Sequence, residues 1–120
     1  MEQTPKIFES EYRFCLILWE AEPISSSELA KLCKEKLGWS RTTTYTVIKR
    51  LSERGVVKNE NSIVTSLLSK DDIRRSDVEE LLNTRFEGSL PAFVAAFSRV
   101  GNLSDNDIAE IQKIIERGRS

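Results

Sequence analysis

The sequence predicts a mostly helical chain with one small β-hairpin, and three observations support this expectation. Apolar residues recur at three- and four-residue spacing through six segments, as they do on the buried face of an amphipathic helix. Serine, glycine or proline marks the segment boundaries, where helices commonly begin and end. Two β-prone runs, at residues 56–58 and 62–67, flank Asn59-Glu60-Asn61 and are typical of a hairpin with a short turn.

The first helix is expected to extend from about Glu11 to Ala21, with Ser10 as its N-cap. It ends at Glu22-Pro23, because the residue before a proline is driven out of the helical region. Cys15 lies on the apolar stripe of this helix. We therefore interpret it as a core residue.

The second helix begins with a capping box, Ser25-x-x-Glu28, and ends at Gly38. Its apolar stripe includes Cys33, which is interpreted as a small core residue rather than a reactive thiol. Trp39, just before the third helix, is expected to pack against the protein rather than stack on a base.

The third helix is predicted over residues 41–53, with Ser40 as its N-cap and Gly55 after its end. Four residues recur at the i, i+3, i+4, i+7 spacing of a buried helix face and are expected to point toward the core: Thr44, Val47, Ile48 and Leu51. The segment from Thr42 to Thr46 is poor helix material by intrinsic propensity, so another requirement must favour its short hydroxyl side chains. Three helices followed by a hairpin is the element order of a winged helix-turn-helix, whose third helix enters the major groove.

The remaining chain is predicted to form three short amphipathic helices that begin after Ser69, Ser89 and Ser104. So little chain cannot enclose a core of useful size, and a second copy is the simplest partner for the apolar stripes. We therefore expect a winged-helix domain over residues 1–68 and a helical dimerisation domain over residues 69–120. The expected dimerisation residues are Leu82, Phe86, Phe93, Val94, Phe97, Ile108, Ile111 and Ile115.

Composition excludes several classes of protein. The chain has 120 residues and no histidine, so it lacks Ser-His and Cys-His pairs and a histidine general base. Its two cysteines are widely spaced and have no neighbouring ligand, so we expect no metal site, no cofactor and no enzymatic activity. The longest apolar run is too short to span a bilayer, and no signal peptide is evident. We expect a cytoplasmic protein without a membrane partner.

The net charge of −1 conceals an uneven distribution along the chain. Residues 1–30 carry −4, residues 31–58 carry +6 and residues 59–120 carry −3. A basic stretch in an otherwise acidic chain is typical of a surface for an anionic polymer. Charge alone leaves open the alternative of a solvated helix face.

The basic stretch coincides with the hydroxyl-rich turn, and together they indicate binding of double-stranded DNA. Short hydroxyl side chains can reach base edges and thymine methyls, and a helix N-terminus attracts phosphate. Arg54 is expected to add charge near the DNA backbone, whereas Tyr45 is open between packing on the second helix and contacting DNA. The predicted DNA-binding residues are Arg41, Thr42, Thr43, Tyr45, Thr46, Lys49 and Arg50.

Over roughly residues 7–117 the chain resembles the BlaI/MecI/CopY family of bacterial repressors, the penicillinase repressors. The matching residues occur in the family's order: Glu11-Tyr12, Leu18-Trp19, Gly38-Trp39-Ser40, Arg50-Leu51, Gly55-Val56 and Phe86-Glu87-Gly88-Ser89-Leu90. The resemblance implies a winged helix and a C-terminal dimerisation region, a palindromic operator and repression of transcription, with genes of the antibiotic-resistance type as targets. It places the base-contacting positions on Thr42, Thr43, Tyr45 and Thr46, and the family's arginine on Arg50.

The chain departs from the family in three places. Its wing has Asn59-Glu60-Asn61-Ser62 where family wings usually hold a glycine and an arginine, which puts wing–phosphate contact in doubt. It lacks the Cys-rich C-terminal motif of copper-responsive members, which argues against a copper sensor. The Asn-Phe bond that a sensor-linked protease cuts in the β-lactam branch corresponds here to Ala96-Phe97, the candidate proteolytic switch.

These observations predict a homodimeric winged-helix repressor that occludes a promoter by binding a palindromic operator. The alternative is a winged-helix module that binds another protein through its third helix, without sequence-specific DNA binding. The acidic terminal segments and the uncharged wing are the features that favour this alternative.

Overall fold

The computed structural model describes residues 4–101 and 103–118, and in this part of the chain it contains six helices and three short strands. The first compact unit extends to Val78 and the second begins at Glu79. The prediction of a mostly helical chain with a small hairpin is confirmed. In chain order the elements are α1 (Glu9–Ala21), β1 (Ile24–Ser25), α2 (Ser26–Leu37), α3 (Arg41–Glu53), β2 (Val57–Glu60), β3 (Ile63–Ser66), α4 (Lys70–Arg85), α5 (Leu90–Val100) and α6 (Asp105–Gly118).

One hydrophobic core joins α1, α2, α3 and the sheet in the first unit. Both cysteines lie in it as expected, and burial together with the charge of Glu11 raises the pKa of the Cys15 thiol to about 12. Trp39 packs as predicted, with its ring stacked 6.2 Å from that of Phe14. The largest fully buried apolar side chains of the core cluster are Phe14, Leu18, Leu29, Leu51, Val56, Val57 and Val64.

The helix boundaries follow the capping residues of the sequence, with one exception. Ser25 Oγ accepts from the backbone N–H of Glu28, and Gly38 ends α2 in the left-handed conformation at φ 72°. However, α1 begins at Glu9 rather than Glu11, and Ser10 is not its N-cap. Phe8 is the N-cap. The side chain of Glu11, three residues later, accepts a hydrogen bond from the Phe8 N–H, as the glutamate of a capping box does.

The hairpin turns two residues later than the sequence indicates. Of the predicted turn residues Asn59-Glu60-Asn61, the first two are wrong, since Asn59 and Glu60 pair with Val64 and Ile63 in the antiparallel ladder. The turn consists of Asn61 and Ser62, at φ 54° and 64°. A two-residue hairpin loop of type I′ needs positive φ at both positions, which asparagine tolerates better than most residues.

The sheet has a third strand that the sequence analysis does not predict. β1 consists of two residues and pairs antiparallel with β3, which gives the strand order β1-β3-β2. Two residues are too few for a period-two pattern to be recognised. The strand nevertheless joins the start of α2 to the wing, because the N–H of Ser26 donates to the carbonyl of Ser62 at 2.8 Å.

The second compact unit contains the C-terminal part of α4, from Glu79 to Arg85, together with α5 and α6. Ser89 Oγ accepts from the Ala92 N–H, and Ser104 and Asp107 form a reciprocal capping box, so both predicted helix starts hold. The first unit continues beyond the boundary expected at residue 68, since Ile73 in the first turn of α4 is buried. None of the helices in residues 4–101 and 103–118 has the length and apolarity of a membrane span.

Candidate nucleic-acid interface

The side chain of Ser40 fixes the start of α3 by accepting from the backbone N–H of Thr43 at 3.1 Å. The predicted inward stripe is buried, including Thr44, which has no exposed surface. The opposite face is open to solvent along the whole helix. All seven predicted DNA-binding side chains lie on exposed positions: Arg41, Thr42, Thr43, Tyr45, Thr46, Lys49 and Arg50.

The hydroxyl groups at the start of α3 differ in what they contact. Thr43 Oγ1 lies 2.9 Å from Ser40 Oγ and takes part in the cap. Thr46 Oγ1 donates to the carbonyl of Thr42, one turn earlier, at 3.0 Å. The Thr42 hydroxyl makes no hydrogen bond within the part of the chain that the structure describes. The threonine-rich turn therefore presents chemically different groups to a ligand.

Tyr45, which the sequence left open, stands on the flank of α3 that faces the wing. Arg41 Nε donates to Tyr45 Oη at 2.8 Å, and the guanidinium lies 5.4 Å from the ring centre. Tyr45 and Lys49 line an open groove that also includes Ser26 of α2 and Asn59 of β2. Asn59 is not among the predicted site residues, because the sequence pattern indicates a turn at this position rather than a strand.

Arg54 differs from the other cations of the basic stretch, since it is engaged within the protein. Its Nη2 forms an ion pair with Glu11, whose side chain is 8% exposed, and its Nη1 donates to the carbonyl of Lys6 at 2.8 Å. Its charge is therefore compensated within the protein, and this pairing does not favour the expectation that Arg54 adds charge near the DNA backbone. Arg54 fixes the segment before α1 to the end of α3.

The Glu11 carboxylate depends on this partner. Burial raises its pKa, but hydrogen bonds from Arg54 and the Phe8 N–H and the charges of Arg54 and Arg50 outweigh burial, so the pKa is lowered from 4.5. A carboxyl group whose folded-state pKa is depressed contributes stability above its unfolded-state pKa. This contribution is lost as the pH falls through the folded-state value.

We expect Arg54→Gln to lower the free energy of unfolding by about 2 kcal/mol near neutral pH. Removing one partner of a buried pair costs about 3–5 kcal/mol, and the partial exposure of Arg54 reduces this figure. The deficit should shrink as the pH falls through the lowered pKa of Glu11, which lies below 4.5, because the carboxyl becomes protonated there. Urea unfolding near neutral pH and below the pKa of Glu11 measures this deficit. Arg13→Gln, which breaks an exposed ion pair, is the control and should cost under about 1 kcal/mol. A deficit that is equal at both pH values would contradict this account.

The wing carries one cation, and that cation is paired within the wing. Lys58 Nζ lies 2.7 Å from a carboxylate oxygen of Glu60, two residues along β2. The hydrogen bond from Lys58, reinforced by its charge, lowers the pKa of the Glu60 carboxyl. The wing from residue 57 to 66 thus has no net charge.

The predicted dimerisation residues form a partly exposed apolar surface in the second unit. Phe86, Phe93 and Phe97 are in ring contact, at 5.4 Å and 6.1 Å between successive centres, and the first two are half-buried like Leu82. Ala96 and Phe97 are both exposed on α5. Four further predicted residues are also exposed: Val94, Ile108, Ile111 and Ile115.

Within residues 4–101 and 103–118, no group of three or more His, Cys, Asp or Glu side chains is placed to bind a metal ion. Burial also raises the pKa of the Cys33 thiol, which makes it less nucleophilic. The exposed face of α3 is the candidate site that the described residues support best.

Comparison with known proteins gives concordant results for sequence and for fold. The family model described as "Penicillinase repressor" matches residues 7–117. The methicillin resistance regulatory protein MecI of Staphylococcus aureus (strain Mu50 / ATCC 700699) is 26% identical over 96% of this chain and 97% of its own length. The penicillinase repressor of Bacillus licheniformis is 23% identical over 100% of this chain and 97% of its own length.

Two solved structures confirm the winged-helix fold of the N-terminal part. The DNA-binding domain of the repressor BlaI superimposes with a TM-score of 0.54 at 22% identity, and it covers 60% of this chain and 93% of its own. The monomeric form of Bacillus licheniformis BlaI, in complex with the blaP half-operator, superimposes with a TM-score of 0.52 at 24% identity and the same coverage.

Proposed function

The chain belongs to the penicillinase repressor family, and from this premise we propose that it represses transcription as a homodimer bound to a two-fold symmetric operator. The family is one of DNA-binding transcriptional repressors rather than enzymes, and this chain is a DNA-binding transcriptional repressor. The proposed details are the symmetry, the contact residues and the way in which repression ends. The proposed place of action is the cytoplasm, where the operator lies.

The observation that carries the DNA contact is the exposed face of α3. In a winged helix the third helix enters the major groove, where an α-helix fits and base edges are accessible. Thr42 and Thr46 lie one turn apart on this face, and Arg50 lies on its flank. We assign the threonines to base edges and Arg50 to phosphate, because short side chains read bases and a guanidinium pairs strongly with phosphate.

The dimer is supported by apolar surface that the described residues leave uncovered. Large side chains of α5 and α6 are 40–60% exposed, including Val94, Phe97, Ile108 and Ile111. Exposed apolar side chains of this size are costly in water, and the same side chains of a second copy would cover them. The mechanism is then steric: a dimer places two α3 helices in successive major grooves, with half-site centres about 10 bp apart or a multiple of that, and blocks the promoter.

A competition experiment tests this proposal directly. The full-length protein is mixed with fragmented genomic DNA at moderate salt, and the retained fragments are sequenced. We expect a small set of fragments that share an inverted repeat, with a preference over bulk DNA of at least about 10³-fold. Uniform retention of all fragments would contradict sequence-specific binding.

The wing allows a second, independent test of the DNA-binding surface. We expect Glu60→Gln to release Lys58 toward phosphate, because the substitution removes its internal partner. Operator affinity should rise at low salt, and the slope of log affinity against log salt should steepen by about 0.9 for each new phosphate contact. Lys58→Gln in the Glu60→Gln background is the matched control and should restore the original slope. An unchanged slope in Glu60→Gln itself would show that the wing does not approach the DNA backbone.

We further propose that repression ends when a sensor-linked protease cuts the chain between Ala96 and Phe97. Support for this comes from Phe97, which matches the phenylalanine of the family's cleaved Asn-Phe bond, and from the exposure of both residues in the single chain; Ala96 stands where the family has asparagine. Cleavage there would separate Phe97 and α6 from the rest of the apolar surface.

A further inference from the structure

We propose that Thr46 reads the operator through its methyl group, against the methyl of a thymine, and that Thr42 reads it through its hydroxyl group. The inference rests on the proposed entry of α3 into the major groove. It goes beyond that proposal by assigning a different chemistry to each of two identical side chains. It also names the base that each half-site must present to Thr46.

The assignment for Thr46 follows from its hydrogen bond. Its Oγ1 donates to the carbonyl of Thr42 at 3.0 Å, so the hydroxyl hydrogen is engaged and the oxygen is drawn back toward the preceding turn. A threonine has two heavy atoms on Cβ, and χ1 is stiff in a helix. With Oγ1 held in this way, the uncommitted heavy atom of the side chain is the Cγ2 methyl.

The hydroxyl group of Thr42 is in a different situation. Within residues 4–101 and 103–118 it neither donates nor accepts a hydrogen bond, although its own carbonyl accepts from Thr46. A free hydroxyl can rotate to donate to a base acceptor or accept from a base donor. Thr42 therefore retains both its donor and its acceptors, whereas the only donor of the Thr46 side chain is already used.

The remaining threonines of the turn do not compete for these roles. Thr43 Oγ1 is paired with Ser40 Oγ at the cap, and Thr44 is completely buried. Thr42 and Thr46 thus form the two-residue reading surface of the turn. Four residues of α-helix span about 6 Å, so the two side chains can address neighbouring base pairs rather than a single one.

The chemistry of the major groove identifies the base for Thr46. Among the four bases, thymine alone presents a methyl group there, and apolar contacts to it are a known mode of readout. A methyl-to-methyl contact removes apolar surface from water on both sides. We infer that each half-site has a thymine opposite Thr46 and a hydrogen-bonding base edge opposite Thr42.

Reciprocal substitutions separate the two modes. Thr46→Val keeps the methyl and the β-branched shape but removes the hydroxyl, whereas Thr46→Ser keeps the hydroxyl and its bond to Thr42 but removes the methyl. Thr42→Val and Thr42→Ser are the matched pair at the other position. Binding is measured on the full-length protein with the operator duplex recovered from genomic DNA, and thermal unfolding checks that each variant is folded.

The expected result is opposite at the two positions. Thr46→Val should bind within twofold of the wild type, and Thr46→Ser should bind about fourfold more weakly per half-site, the factor that corresponds to one buried methyl-sized group. At Thr42 the serine variant should retain affinity and the valine variant should lose it. Arg50→Ala should weaken operator and random duplex alike, which controls for loss of phosphate contacts.

A deoxyuridine scan of the operator provides the complementary measurement, because it removes thymine methyls one at a time. One thymine per half-site should cost the wild type about fourfold, and the same deoxyuridine should cost Thr46→Ser nothing further. The proposal is overturned if Thr46→Val binds weakly while Thr46→Ser binds normally, or if no deoxyuridine affects the wild type. Wild-type protein that fails to prefer the operator over random duplex would overturn the proposed function as well, which distinguishes the two failures.

Discussion

Phe97→Glu should convert the protein into a monomer and weaken operator binding by about two to four orders of magnitude. Phe97 is half-exposed on α5 and stacks on Phe93 at a ring distance of 6.1 Å. In the proposed dimer a glutamate at this position would bury an unpaired charge, which costs more than the contact it replaces. Each monomer would then hold one half-site, without the linked second contact that raises the affinity of the pair.

Ala95→Glu is the matched control for this variant. It adds the same charge to the same helix at an exposed position, on the side of α5 away from Phe97. Light scattering over a wide concentration range should show a monomer for Phe97→Glu and a dimer for both Ala95→Glu and the wild type. A Phe97→Glu protein that remains dimeric at micromolar concentration would place the interface elsewhere.

The element that carries the proposed DNA contact is also the one that the sequence predicts most completely. α3 begins at Arg41 and ends at Glu53 as expected, because Ser40 supplies a strong cap and Gly55 can adopt the positive φ of 77° that follows the helix. Its buried stripe is equally well determined, since an amphipathic period of 3.6 leaves one face for the core. All seven predicted contact residues consequently lie on exposed positions.

The sequence did not predict the position of the hairpin turn, because several neighbouring residues suit a turn. It also did not predict the partner of Arg54, because that partner is distant in sequence. Asn59, Asn61 and Ser62 all suit a turn, and the choice depends on which register allows β3 to pair with β1 as well as β2. Arg54 appears in the sequence as one more cation of a basic stretch. Its pairing with Glu11, 43 residues earlier, is a tertiary contact that no local pattern indicates.

Cleavage between Ala96 and Phe97 should release the operator as completely as Phe97→Glu does, because it removes the same contact together with α6. The apolar residues Ile108, Ile111 and Ile115 lie beyond the cut and would leave the N-terminal fragment. A protein that ends at residue 96 should therefore be monomeric, and its operator affinity should be about 10² to 10⁴ times lower. The matched control ends at residue 118, keeps α6 and should behave as the full chain does.

Proteolysis in the cell is the decisive measurement for this switch. Proteases act on extended chain, so α5 must open locally, and the proposed dimer contact of Phe97 must part, before the bond can be cut. We expect an N-terminal fragment of about 96 residues to appear before the target genes are expressed, on the order of one fragment per operator-bound chain. If the genes turn on while the full-length protein persists uncut, the proteolytic switch is wrong. The same apolar surface would then have to be opened by a ligand or partner that binds the monomer in preference to the dimer.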